Sequence, residues 1–236
     1  MNGESPIILL SGMGADARVF AKQMEAMPQM RVPGWIAPQR HESLAAYGAR
    51  LAEKVDPGQP CFVGGASFGG FVALEMIEHL DAIACILIGS VRSPDEFPGK
   101  FKALRKLSRA ADILPFEVAA LLSKAALWSG GSLSGSHLSE LMQQMSDSDA
   151  SFLRWACRAA LQWEGTPRTG NTPIYQIHGE KDFVLPVKNT TPNTVVAGAG
   201  HTLSMSHPDE VTQFLKESII ESTTNKRHRG QTDFSR

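Results

Sequence analysis

Cysteine is scarce in this chain: Cys61, Cys85 and Cys157 are the only three among 236 residues. They are widely spaced and odd in number, with no CxxC pair, so neither a disulfide framework nor a thiol metal site is expected. Cys61 and Cys85 border apolar runs and read as buried free thiols. No run approaches the roughly 20 consecutive apolar residues that a membrane span needs. The opening MNGESPIILLSGMG lacks a basic stretch and does not read as a signal peptide. A cytoplasmic location is therefore expected by default. Charge of one sign is lacking too. The net charge is −1, which gives no field for nucleic acid or an acidic membrane surface. Apolar residues make up 42% and charged residues 20%, enough for one domain with a sizeable core. There are no internal repeats.

Short apolar runs alternate with longer helical patterns. Pro6–Gly12, Pro60–Gly65 and Ile83–Ser90 read as buried strands, and Arg31–Pro38 as a poorer one broken by Pro33 and Gly34. Helices are predicted over Asp16–Met27, Ser43–Val55 with Ser43 as N-cap, and Phe68–Leu80. From about Ser93 to Gln162 no good strand is found. Helix-like pieces replace it, two of them separated by the loop-like Ser129–Ser136. Strands resume at Thr172–Gly179 and Asn193–Gly198, and a last helix opens at Pro208 with two acids in its first turn. The expected fold is α/β: a mostly parallel sheet with helices on both faces, interrupted by a helical insertion. The core is assigned to 1–92 and 165–220 and the insertion to 93–164. The polar stretch 221–236 is expected to be a frayed, disordered tail, its basic cluster Lys226–Arg229 solvated.

Gly65-Ala66-Ser67-Phe68-Gly69 fits G-x-S-x-G. Alone the pattern is weak, arising by chance about one time in ten in a chain this long. Its setting raises it, because a strand precedes and a helix follows. Such a sharp turn holds the serine in a strained conformation and needs glycine where a side chain would strike neighbouring backbone. A serine hydroxyl needs a base to take its proton, and the base needs an acid to orient it. HGEKDFVLP places Asp182 just past a strand, and GAGHTLSMSHP places His201 just past the last one. The order Ser, Asp, His is the one this constellation takes on such a fold.

Through SGMGADARVF, GGASFGG, IHGEKDFVLP and GAGHTLSMSHPDEV the chain resembles the α/β-hydrolase superfamily, over roughly Pro6 to Ile220. The resemblance implies an α/β-hydrolase fold that begins at the family's third strand and keeps about six strands, with the insertion as a cap after the family's sixth. It implies Ser67 as nucleophile, Asp182 as triad acid and His201 as general base. Backbone N–H groups of Phe68 and Met13 would form the oxyanion hole, although the loop Ser11-Gly12-Met13-Gly14 lacks the His-Gly of many members. It implies neither a metal nor an organic cofactor. The partner is a small-molecule substrate with an acyl group, an ester or thioester hydrolysed through an acyl-enzyme. C–C hydrolysis, lyase, amidase or cofactor-free haloperoxidase chemistry on the same triad stays open, as does a non-catalytic ligand-binding member. The oligomeric state is unknown from the sequence.

Each role has competitors. Asp95 is the alternative acid, and Glu180 reads as a surface residue. His207 belongs to a helix start, His178 ends a strand where family members often hold a structural histidine, and His41 lies in a loop. Trp128, Trp155 and Trp163 read mainly as packing in the insertion. Arg92 is expected to pair with Asp95 or Glu96. Met13, Phe68, Val184, Leu185 and Leu203 give the site an apolar rim, with Met13, Phe68 and Leu203 as substrate contacts.

Overall fold

The computed structural model describes residues 4–110, 135–166 and 170–232. Six strands form one sheet: β1 (Ile7–Leu10), β2 (Met30–Arg31), β3 (Cys61–Ala66), β4 (Ala82–Ile88), β5 (Ile174–Gly179) and β6 (Thr194–Val196). Their spatial order is β2-β1-β3-β4-β5-β6, and every pairing is parallel. The central strands are buried on both faces, so their sequences are continuously apolar rather than alternating.

Alternation survives in where those side chains go. Ile86 and Ile88 of β4 join a core cluster with Phe20, Val211, Phe214 and Leu215, whereas Cys85 and Leu87 join one with Tyr47, Leu51, Phe71 and Leu74. One face is therefore covered by α1 (Ala21–Ala26) and α8 (Pro208–Thr232), the other by α2 (Leu44–Val55) and α3 (Phe68–Met76). Ser43 caps α2 as expected, its hydroxyl accepting from the Ala46 N–H.

Between β4 and β5 the described residues form helices only: α4 (Gly99–Ala110), α5 (Gly135–Asp147) and α6 (Ala150–Gln162), after a 3₁₀ turn at Pro94–Glu96. The helical piece predicted around Pro115–Trp128, Trp128 itself and most of the loop Ser129–Ser136 lie outside the described residues. A short α7 (Leu203–Ser206) follows β6.

Two elements depart from expectation. β2 stops at Arg31, since Pro33 lacks a ladder donor and Gly34 adds no packing. The last helix does not fray at Glu221. It continues to Thr232, and Ser218 and Ser222 are buried on it. The Ser222 hydroxyl donates to the Ser218 carbonyl, as Thr223 does to Ile219, so polar residues satisfy themselves along the helix. The basic side chains of Lys226–Arg229 lie outside the described residues. Among the described residues no helix is long and apolar enough to cross a membrane.

Candidate active site

Ser67 occupies the turn between β3 and α3 with φ 51° and ψ −120°. A serine in that region costs on the order of 1–3 kcal/mol, so the surroundings must hold it there. Three hydrogen bonds do so: the Ser67 N–H donates to Ile88 O, and Ser67 O accepts from the Gly70 N–H and the Ser90 hydroxyl, the last at 2.7 Å. The flanking glycines are required by close approach. A Cβ on Gly65 would stand 2.5 Å from the Gly69 carbonyl carbon, and one on Gly69 2.3 Å from Ser11 O.

The strand ends bring the three sequence candidates together. His201 Nε2 lies 2.9 Å from Ser67 Oγ, and His201 Nδ1 lies 2.8 Å from Asp182 Oδ2. The other carboxylate oxygen, Oδ1, accepts from the Val184 and Leu185 N–H groups at 2.8 and 2.9 Å. Asp182 is buried. Burial pushes its carboxyl upward, but the charge of His201 and hydrogen bonds from His178 and His201 outweigh that and hold it below the usual carboxylate range.

Met13 sits in the turn after β1, and Phe68 is the first residue of α3. Among the described residues neither backbone N–H donates to a protein acceptor. The Met13 sulfur is met by the Cys157 thiol at 3.4 Å, from α6.

Ser67 and His201 open onto a cavity of about 150 Å³. One wall comes from the core through Met13, Val19, Phe68, Phe71 and Leu185, the other from Phe101, Leu141, Met145, Leu153 and Ala160 on α4, α5 and α6. Among the described residues its lining side chains are apolar except for Ser67, His201, Thr202 and Ser204, and none of these is a lysine, arginine or carboxylate. The expected contact Leu203 is absent from it. Leu203 is buried against Gly89 in the core, and its chain neighbours Thr202, Ser204 and Met205 line the cavity instead. The wall from α4, α5 and α6 escaped sequence reading, because helical periodicity reports that a face is apolar and not which cavity it meets.

The competing residues are placed elsewhere. Asp95 is exposed, Glu180 accepts from the Gly198 N–H, and His207 meets the Ser206 hydroxyl before α8. His41 is exposed beside Arg40. Arg92 donates through its guanidinium to Asn193 and only through its backbone N–H to Glu96, so the expected side-chain ion pair is not formed. Trp155 donates to Glu42 O, and Trp163 to Glu75, both as packing residues. His178, expected to be structural, lies 3.2 Å from Asp182 Oδ2. Among the described residues no cluster of His, Cys, Asp and Glu could hold a metal ion.

Comparison with known proteins agrees with this architecture. The family model of the alpha/beta hydrolase family matches residues 7–214. No curated protein matches the sequence. Among solved structures, MenH from S. aureus superposes with TM-score 0.73 at 18% identity, covering 94% of this chain and 96% of that one. A thermophilic esterase from Thermogutta terrifontis gives 0.69 at 19% identity, covering 92% and 90%. The N-acyl homoserine lactonase AidH gives 0.63 at 18% identity, covering 94% and 91%. At these identities the likeness is one of fold. With the family model spanning nearly the whole sheet and both flanks of Ser67, the chain belongs to the alpha/beta hydrolase family.

Proposed function

We propose that the protein is a serine hydrolase that cleaves a small ester or thioester with an uncharged acyl group. The observation that carries this reading is the chain of hydrogen bonds Ser67–His201–Asp182 opening into an apolar cavity. In the proposed reaction Ser67 Oγ attacks the carbonyl carbon while His201 Nε2 takes its proton. Asp182 accepts the Nδ1–H of His201, which fixes the tautomer and offsets the positive charge that develops on the ring. The negative oxygen of the tetrahedral species accepts from the Met13 and Phe68 N–H groups, beside the N-terminus of α3. His201 then protonates the departing alcohol or thiol. A water, deprotonated by His201, attacks the acyl-serine and releases the acid. The scheme needs no metal or organic cofactor.

The cavity speaks for the substrate class. A volume on the order of 150 Å³ accepts a benzene-sized apolar group, and a substrate carboxylate would meet no cation among the described lining residues. AidH, which shares the fold, has been seen with N-hexanoyl homoserine lactone, whose acyl chain is of this kind. The helices α4, α5 and α6 act in this reading as a cap over the acyl group.

The test is a series of p-nitrophenyl esters of graded acyl length, with Ser67→Ala beside the wild type. Short uncharged acyl groups are expected to turn over, and Ser67→Ala is expected to lower kcat by roughly 10⁴-fold or more with the fold intact. A fluorophosphonate probe should label the wild type and not the variant. Near-native turnover by Ser67→Ala, or folded wild type that neither labels nor hydrolyses any ester, would overturn the reading.

A further inference from the structure

His178 is fully buried at the carboxyl end of β5, outside the cavity. Its Nε2 faces two oxygens, Leu185 O at 2.6 Å and Asp182 Oδ2 at 3.2 Å. A bare nitrogen there would oppose lone pair to lone pair, so the ring proton must sit on Nε2. The other nitrogen, Nδ1, is buried with no partner among the described residues. The geometry therefore makes Nε2–H a single, bifurcated donor.

That donor closes a small circuit. Asp182 Oδ1 accepts from the Leu185 N–H, and the Leu185 carbonyl receives His178 Nε2–H, which also reaches Asp182 Oδ2. The loop carrying Asp182 is thus pinned at both of its ends from inside. Asp182 Oδ2 receives two histidines, His201 from the cavity side and His178 from the core side. The other nearby charged groups are turned elsewhere: Glu180 and Lys181 are exposed, Glu180 accepting from Gly198, and Arg92 donates to Asn193.

We propose that His178 is a positioning residue, a core-side donor that aims the Asp182 carboxylate at His201 and weakens its pull on the imidazolium. The proposal rests on the serine-hydrolase reading above, so wild type and Ser67→Ala are run first, and failure there is separate from failure here. The main variants are His178→Met, which keeps bulk and removes the donor, and His178→Gln, whose amide can restore one.

Losing a hydrogen bond to a charged group, His178→Met is expected to lower kcat about tenfold with KM little changed. With one donor fewer, Asp182 holds the His201 proton more tightly, so the acid limb of kcat/KM moves to higher pH. His178→Gln is expected to recover most of kcat and the wild-type limb. A purely packing role would give Met and Gln variants alike, with the limb unmoved, and that result would overturn the proposal. Nitrogen NMR of the unmodified wild type gives a check that needs no variant to fold. The His178 ring should carry its proton on Nε2, with that N–H signal shifted by its two oxygen acceptors. A ring that carries its proton on Nδ1 with Nε2 bare would also overturn it.

Discussion

α5 and α6 both wall the cavity, yet they are attached in different ways. α6 buries Phe152, Ala156, Ala159 and Ala160 against the core. Phe152 stacks on Trp35 at 5.1 Å, Trp155 packs on Tyr47 at 4.3 Å and donates to Glu42 O, and Trp163 stacks on Phe71 at 5.0 Å while donating to the buried Glu75. α5 buries only Leu141 and Gln144. Its polar ties include the Asp16 N–H donating to Gln144 Oε1 at 3.0 Å and an exposed Arg18–Asp147 contact at 3.4 Å. Apolar area resists separation in proportion to its extent, whereas a few hydrogen bonds exchange readily with water. The cavity thus has one wall that is part of the core and one that is laid against it.

The largest expected effect breaks the α6 side. Phe152→Ala removes a ring stacked among aromatic neighbours and should destabilise the protein by about 3–5 kcal/mol, read from urea unfolding. If it cost no more than a surface substitution, α6 would not be the anchored wall. Gln144→Ala strikes the α5 side and is smaller. Losing one bond to a backbone N–H should cost about 0.5–1.5 kcal/mol. Its clearer sign should be a changed KM for the longer esters, with faster amide exchange confined to α5. Uniform exchange across α5 and α6 in the wild type would erase the distinction altogether. Arg18→Ala should do least. Its contact with Asp147 is exposed and screened, so melting temperature and kinetics should stay at wild-type values within error, at low and high salt alike.

The same contrast explains what the sequence revealed. The strands β1, β3 and β4 and the helix α2 were legible because burial on a sheet imposes an apolar run or a face, and Ser43 marks the helix start chemically. Ser67, Asp182 and His201 were legible because each follows a strand, and strand ends in a parallel sheet converge. The cavity wall was not legible. Leu141 and Met145 look like any apolar face of a helix, and Leu203 points into the core while its next two neighbours, Ser204 and Met205, line the cavity. The extension of α8 was hidden for another reason. Its buried positions Ser218 and Ser222 are polar, so hydrophobic periodicity sees no face there, although their spacing of four is helical. His178 gave a weak signal, since a strand-end histidine says nothing about which oxygen it meets.

Gly69 has a consequence that reaches beyond its own turn. Its Cα rests against the carbonyls of Leu10 and Ser11, so the β3–α3 turn and the turn after β1 are set backbone to backbone with no side chain between them. Those two turns carry the Phe68 and Met13 amides. The gap between the amides is thereby gauged by the thickness of a peptide rather than by the conformations of side chains, which fluctuate. A gap set in that way does not depend on which rotamers the neighbouring side chains adopt.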